Sequence, residues 1–381
     1  MNDIEHHRSH GPLIDPDECR GSAERMRREM VTSFAICVLQ GMMRGVAKAG
    51  AKASRTAGRL LFWFGGHGPV LLVAALAFGV LVPPLGDFGY HLLPVSAFLL
   101  TLGSFLTAGL APAEVPVARW LLAIVLVWVG VGLPLAAAGV LSAVTLDPAL
   151  RAGVLLSLLA PPVGSAAAIA AMLGLQPRLA LIVSITLTLA SPVTIPAFAT
   201  ILGLGIGFNV GWLAIRLLTI IGCAALLAMV ALRFRRWTAG LLPDGQAATG
   251  AAVIGLVIVG LATSKGVASQ WHSDPYRFVE MLGAAIAINF AFCLVAMLAF
   301  RRLGIRLAAT IGLVSGNRNV TLAWAAASFG LPAVTEGYVA ACVVPVLALP
   351  LLIKQTFALG ARLSRWNASV TGWRVRGRPS A

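Results

Sequence analysis

From residue 68 to residue 361 the chain is a succession of ten apolar runs joined by short loops, and that pattern leaves few folds open. The runs lie at 68–85, 90–111, 116–141, 151–174, 178–204, 209–232, 248–266, 277–300, 305–330 and 336–361. At about 1.5 Å of rise per residue each can cross, or nearly cross, a hydrocarbon layer of about 30 Å. In lipid every backbone N–H and C=O must be satisfied within the protein, so spanning segments are helices or closed barrels. None of the runs alternates with period two over a strand length, which selects helices. The expected class is an all-α polytopic membrane protein with ten transmembrane helices. Composition agrees, because 59% of residues are hydrophobic and 11% charged, where a soluble domain carries about 25% charged residues.

Charge placement sets orientation. A net charge of +15 would suit nucleic acid, but the Lys and Arg residues sit in short loops between apolar runs, which excludes that reading. There they face the anionic headgroups of a lipid bilayer. Arg178, Arg233, Arg235, Arg236, Arg301, Arg302 and Arg306 fall on the side of the N-terminus, as do Arg362, Arg365, Arg374, Arg376 and Arg378. The opposite loops carry Arg151, Lys265 and Arg277. Basic loops stay inside, so both termini are expected in the cytoplasm of a bacterial-type inner membrane, with an even number of spans.

Ten spans divide into five and five. An odd half enters the membrane inverted relative to the other, giving an inverted repeat over 63–206 and 207–363. Residues 1–62 read as a basic cytoplasmic tail followed by an interfacial helix, with Lys48, Lys52, Arg55 and Arg59 at helical spacings. Residues 364–381 read as a second basic tail. Cys19, Cys37, Cys223, Cys293 and Cys342 show no paired spacing, so neither a disulfide framework nor a metal site is expected.

Two spans are interrupted near their centres, at corresponding places in the halves. The fourth carries Ala160-Pro161-Pro162-Val163-Gly164-Ser165 and the ninth Val314-Ser315-Gly316-Asn317-Arg318-Asn319. Two prolines remove two amide donors and force a kink or a break. Arg318 lies about 12 residues from either end of its span, or roughly 18 Å, too deep to snorkel. An arginine there costs at least about 2.5–3.5 kcal/mol unless it faces a cavity or a partner. Paired interrupted helices point to a transport site at mid-membrane. Arg318 then either attracts an anion or replaces a coupling ion, or it is a structural tie between carbonyls. Asn317 and Asn319 supply amides or cap the break. In the fifth span Ser184, Thr188 and Ser191 share one face ahead of Pro192 and Pro196. They are oxygen ligands aimed at the broken fourth helix, or hydroxyls bonded to backbone. Asn289, Glu280 and the histidines His67, His91 and His272 read as packing or interface residues. No nucleophile–base pair, phosphate loop or metal-ligand cluster is present, so an enzyme and a bound cofactor are not expected.

These motifs resemble those of the bile acid:sodium symporter family. Gly316-Asn317-Arg318-Asn319-Val320-Thr321-Leu322-Ala323 is similar to its ninth-helix motif, Pro161-Pro162-Val163-Gly164-Ser165 to its fourth-helix motif, and Ser184 to Pro196 to its fifth helix. The resemblance covers roughly residues 65–361. It implies a panel domain and a core domain, with helices 4 and 9 broken and crossing, and organic anions moved by alternating access. It makes Ser315, Gly316, Asn317, Arg318 and Asn319, with Pro161, Pro162, Gly164 and Ser165, the substrate-binding set. It makes Ser165, Ser184 and Thr188 sodium ligands. The chain departs from the family where Val314 replaces a sodium-binding glutamate, Arg318 a glutamine and Ala166 an asparagine, and no glutamine occurs in the third span. Weak or absent sodium coupling is therefore expected, with Arg318 as a built-in substitute for the ion. The expected function is a secondary transporter of a small organic anion. A related carrier of arsenite or an auxin-like weak acid, and a non-transporting receptor on the same fold, are the alternatives. No cysteine lies near the fourth-helix break, which disfavours arsenite.

Overall fold

The computed structural model describes residues 51–110, 117–204, 209–242, 244–327 and 330–346, with Leu349, Ile353 and Gln355. The chain divides into the units Met1–Lys52 and Ala53–Ala381. Apart from the first two residues of the first helix, every described residue belongs to the second unit. The expected tails at 1–50 and 364–381 lie outside the described residues.

All regular elements among the described residues are helices. They are α1 Ala51–Leu81, α2 Pro83–His91, α3 Leu93–Leu110, α4 Arg119–Ser142, α5 Pro148–Leu159, α6 Ala166–Met172 and α7 Pro177–Ile201. Then come α8 Val210–Arg233, α9 Gly245–Ser273, α10 Pro275–Ala299, α11 Ile305–Gly316, α12 Val320–Ala327 and α13 Ala333–Ala341. Local sequence accounts for many of the starts. Asp147, Asn209, Asp244 and Asp274 accept from backbone N–H groups in the first turns of α5, α8, α9 and α10. Proline opens α5, α7 and α10, where its missing N–H costs nothing.

Six helices, α3, α4, α7, α8, α9 and α10, are long and apolar enough to cross a membrane. A seventh is obtained if α1 counts as one span, although its parts Thr56–Gly68 and Val70–Leu81 meet at 82°. Their outward faces are apolar and bare: Val193 is 73% exposed, Val140 65% and Leu218 62%. In water such faces would be aggregation sites, whereas in lipid they need no cover.

Pro192 and Pro196 stand inside α7 without ending it. Pro192 cannot donate to Thr188 O, and the Ser191 hydroxyl takes its place at 2.7 Å. The helices pack in two sets. In one, α9 lies against α2 and α3, and α8 against α3. In the other, α10 packs on α11, α13 on α5 and α6 on α7. The sets meet where α12 touches α3, α8 touches α7 and α9 touches α13.

Candidate functional site

The break between α5 and α6 and the break between α11 and α12 cross. Pro162 and Arg318 form an isolated antiparallel bridge. Val163 N donates to Asn317 O at 3.0 Å, and Asn319 N donates to Pro161 O at 2.7 Å. Each break thus supplies the partner that the other lost, so the buried non-helical backbone is satisfied within the protein.

Crossing leaves carbonyls over, and Arg318 takes three of them. Its Nε donates to Ser315 O at 2.9 Å, Nη1 to Ala160 O at 3.2 Å and Nη2 to Val129 O at 3.0 Å. Each oxygen is orphaned by an interruption. In a continued α11, Ser315 O would accept from Asn319 N, which is engaged with Pro161. At Ala160 the chain turns extended, so α5 stops before that carbonyl finds a donor. Val129 lies in a π-helical turn, Trp128–Gly132, within α4, where Leu133 N reaches back to Trp128 O. The next residue is Pro134, which has no N–H, so nothing within α4 serves Val129 O. Arg318 is 3% exposed. Among the described residues its partners are these carbonyls and no carboxylate. Two of them end helices, where the dipole is negative.

A narrow cavity lies beside the crossing, lined by Thr101, Ser104 and Phe105 of α3, Ser184, Ile185 and Thr188 of α7, and Gly164 and Asn319 of the two breaks. As enclosed here it admits about one water-sized occupant. Ser184 Oγ is buried with no hydrogen-bond partner. The Thr101 and Ser104 hydroxyls donate to Ala97 O and Leu100 O, so their lone pairs are left for the cavity. A Cβ on Gly164 would stand 1.7 Å from Ser104 Oγ. Only glycine lets α3 approach the break this closely.

The sequence-derived set therefore divides. Asn319, Gly164, Ser184 and Thr188 line the cavity together. Arg318 is not in that lining; its guanidinium is held by the three carbonyls, the arrangement that the structural-tie alternative describes. Ser165 is exposed and outside the lining, apart from Ser184 and Thr188. Pro161, Pro162, Ser315, Gly316 and Asn317 are buried and serve the crossing itself. A Cβ on Gly316 would lie 2.6 Å from Asn289 O, so α10 presses on the break there. Asn317 is fully buried with neither amide atom partnered, and Ser315 Oγ is likewise unpartnered. Sequence reading missed Thr101, Ser104 and Phe105. Their spacing of three and four along α3 was the available signal.

Polar and aromatic contacts also gather around Asp87 and Trp324, where Tyr90 of α2 meets α12. Lys265 Nζ is 2.8 Å from Asp87 and 4.4 Å from the centre of the Tyr90 ring. Tyr90 lies 6.4 Å from Trp324, whose Nε1 donates to Glu336 at 3.1 Å. The hydrogen bond and charge of Lys265 hold the Asp87 carboxyl below its ordinary range. Asp147 is lowered mainly by the Ala149 N–H and also by Arg277, with which it pairs. Among the described residues no group of His, Cys, Asp and Glu side chains has the geometry of a metal site.

No protein-family model matches this chain, and no curated protein matches it.

Proposed function

We propose that the protein is a membrane carrier of a small organic anion in which Arg318 occupies the place of a coupling cation. The crossing of two interrupted helices around a guanidinium held by three carbonyls is the observation that carries this reading. A cage of carbonyl oxygens is what a small hard cation would demand. Here it is filled by a charge that cannot leave. Val314, fully buried and apolar, adds no ligand for a mobile ion. The carrier is then independent of sodium.

The anion site is the cavity between α3, α7 and Asn319. Its lining is neutral, so the attraction comes from Arg318 through the protein. For two unit charges roughly 8 Å apart at an effective dielectric of about 20, such an attraction is worth about 2 kcal/mol. That corresponds to roughly thirtyfold in affinity. The enclosed form admits no organic anion, so α3 and the α5–α6 break must part for loading. The Tyr90–Trp324 contact closes the same helix sets at one end. In this reading α5–α6 and α11–α12 are the fourth and ninth of ten spans in an inverted repeat, with both termini in the cytoplasm. The resemblance to bile acid:sodium symporters rests on the same motifs.

The test is thermal unfolding of the purified protein against a panel of small organic anions, with sodium or choline as counter-ion. A ligand that raises the midpoint equally in both salts supports the reading. Stabilisation by sodium alone would reverse it.

A further inference from the structure

We propose that the seam between α7 and α11 binds the headgroup of an anionic phospholipid, through Arg178 and Arg306. The two helices begin side by side there. Gln176 N donates to Thr310 Oγ1 at 3.0 Å, and Thr310 Oγ1 donates to Arg306 O at 2.7 Å. Arg178 is the second residue of α7 and Arg306 the second residue of α11. Arg301 and Arg302 form the 3-10 turn immediately before α11. Among the described residues none of the four meets a carboxylate.

Among the described residues nothing offsets this clustering. Like charges repel, and the first turn of a helix is the positive end of its dipole, where arginine is disfavoured. Neither helix has an acidic residue in that turn or a side-chain cap. Arg178 Nη1 is a buried donor without an acceptor, and so is Trp128 Nε1 in α4. Trp128 packs edge-on against Phe300, at the end of α10, with ring centres 5.5 Å apart. Trp128, Leu179, Phe300 and Leu307 belong to one apolar cluster, and Leu179, Phe300 and Leu307 are the sequence neighbours of Arg178, Arg301 and Arg306. Unpaired donors in that number fit a phosphate, which takes guanidinium in a bidentate fashion.

The exposed apolar residues select a lipid over a free anion. Leu303 and Ile305 stand between Arg302 and Arg306, 39% and 60% exposed. A soluble phosphate would leave them in water, whereas acyl chains cover them. Arginine for the headgroup and leucine or isoleucine for the chain is the pattern of an interfacial site. The inference needs the protein to lie in a membrane and is independent of what it carries.

The full-length protein, purified in neutral detergent, is titrated with phosphatidylglycerol and with phosphatidylcholine. Retained lipid is read by native mass spectrometry and stability by the thermal midpoint. Phosphatidylglycerol should be retained and raise the midpoint, and phosphatidylcholine should not. Arg178→Gln with Arg306→Gln should weaken that response at least tenfold, while Arg233→Gln with Arg235→Gln leaves it unchanged. Should the glutamine pair fail to fold, Arg178→Lys with Arg306→Lys keeps the charge and should weaken retention about threefold. Undiminished retention in the variant that folds overturns the proposal. So does inorganic phosphate reproducing the full effect, because the site would then take a free anion.

Discussion

Replacing Arg318 by alanine removes one side chain and orphans three carbonyls at once. A buried acceptor without a partner costs about 1–3 kcal/mol. Against that, alanine relieves the burial of a guanidinium, itself several kcal/mol. Removing one partner of a buried charged arrangement usually leaves about 3–5 kcal/mol of net destabilisation. For Arg318→Ala we expect that range, and a midpoint lower by roughly 5–10 °C in thermal unfolding of the detergent-solubilised protein. The oxygens from Ser315, Ala160 and Val129 belong to three separate segments. The alanine variant should therefore leave a vacant oxygen cage that a small cation can enter. Adding sodium at constant ionic strength should restore part of the lost midpoint in Arg318→Ala and do nothing to the parent. Arg318→Lys should fall between, since a point charge cannot reach three divergent carbonyls as a planar fork can. A midpoint within 1 °C of the parent (about 0.5 kcal/mol) would refute the cage argument. A destabilised variant indifferent to sodium would leave the tie standing and remove the ion-substitute reading.

Other expected outcomes rest on the same geometry. Gly164→Ala drives a Cβ into Ser104, 1.7 Å from its Oγ. It should cost about 1–3 kcal/mol as overpacking and abolish anion binding, and adding Ser104→Gly should recover stability. Ser184→Ala removes a buried hydroxyl that has no partner. Its stability should be unchanged or raised by up to about 1 kcal/mol while anion affinity falls, and calorimetry with a stabilising anion checks both. Asp87 and Asp147 are held below the ordinary carboxylate range in the fold, Asp87 by Lys265 and Asp147 by the Ala149 N–H. Their contribution is present above the unfolded pKa and disappears as pH falls through the folded value. The midpoint should be flat from pH 8 to pH 5 and drop below about pH 4, with the drop reduced in Asp87→Asn with Asp147→Asn. Loss between pH 7 and pH 5 would contradict this. Reporter fusions at Ala248 and Ala381 should both report the cytoplasm, and an external signal at either would end the ten-span topology.

The helical membrane class was legible because lipid permits little else, and runs such as 178–204 and 209–232 appear as α7 and α8 almost intact. The breaks were legible for a local reason: Pro161 and Pro162 lack N–H groups, and Gly316 to Asn319 form helix poorly. That the breaks meet was implied only by the resemblance, since hydrogen bonds such as Asn319 N to Pro161 O join residues far apart in the sequence. The direction of Arg318 was not legible. It depends on Val129, whose carbonyl is freed by a π-helical register that no periodicity reveals, with Pro134 as the one clue. The α3 lining was missed because Thr101, Ser104 and Phe105 lie in a regular span without a break to mark it.

The most direct test is flux of a stabilising organic anion into sealed proteoliposomes, with sodium or choline outside at equal ionic strength. Anion counterflow should appear at rates equal within about twofold in the two salts, and Arg318→Ala should abolish it in choline. A tenfold dependence on sodium, about 1.4 kcal/mol of coupling, would contradict the claim that Arg318 has replaced the ion. Absence of flux for every anion that stabilises the protein would contradict the carrier itself.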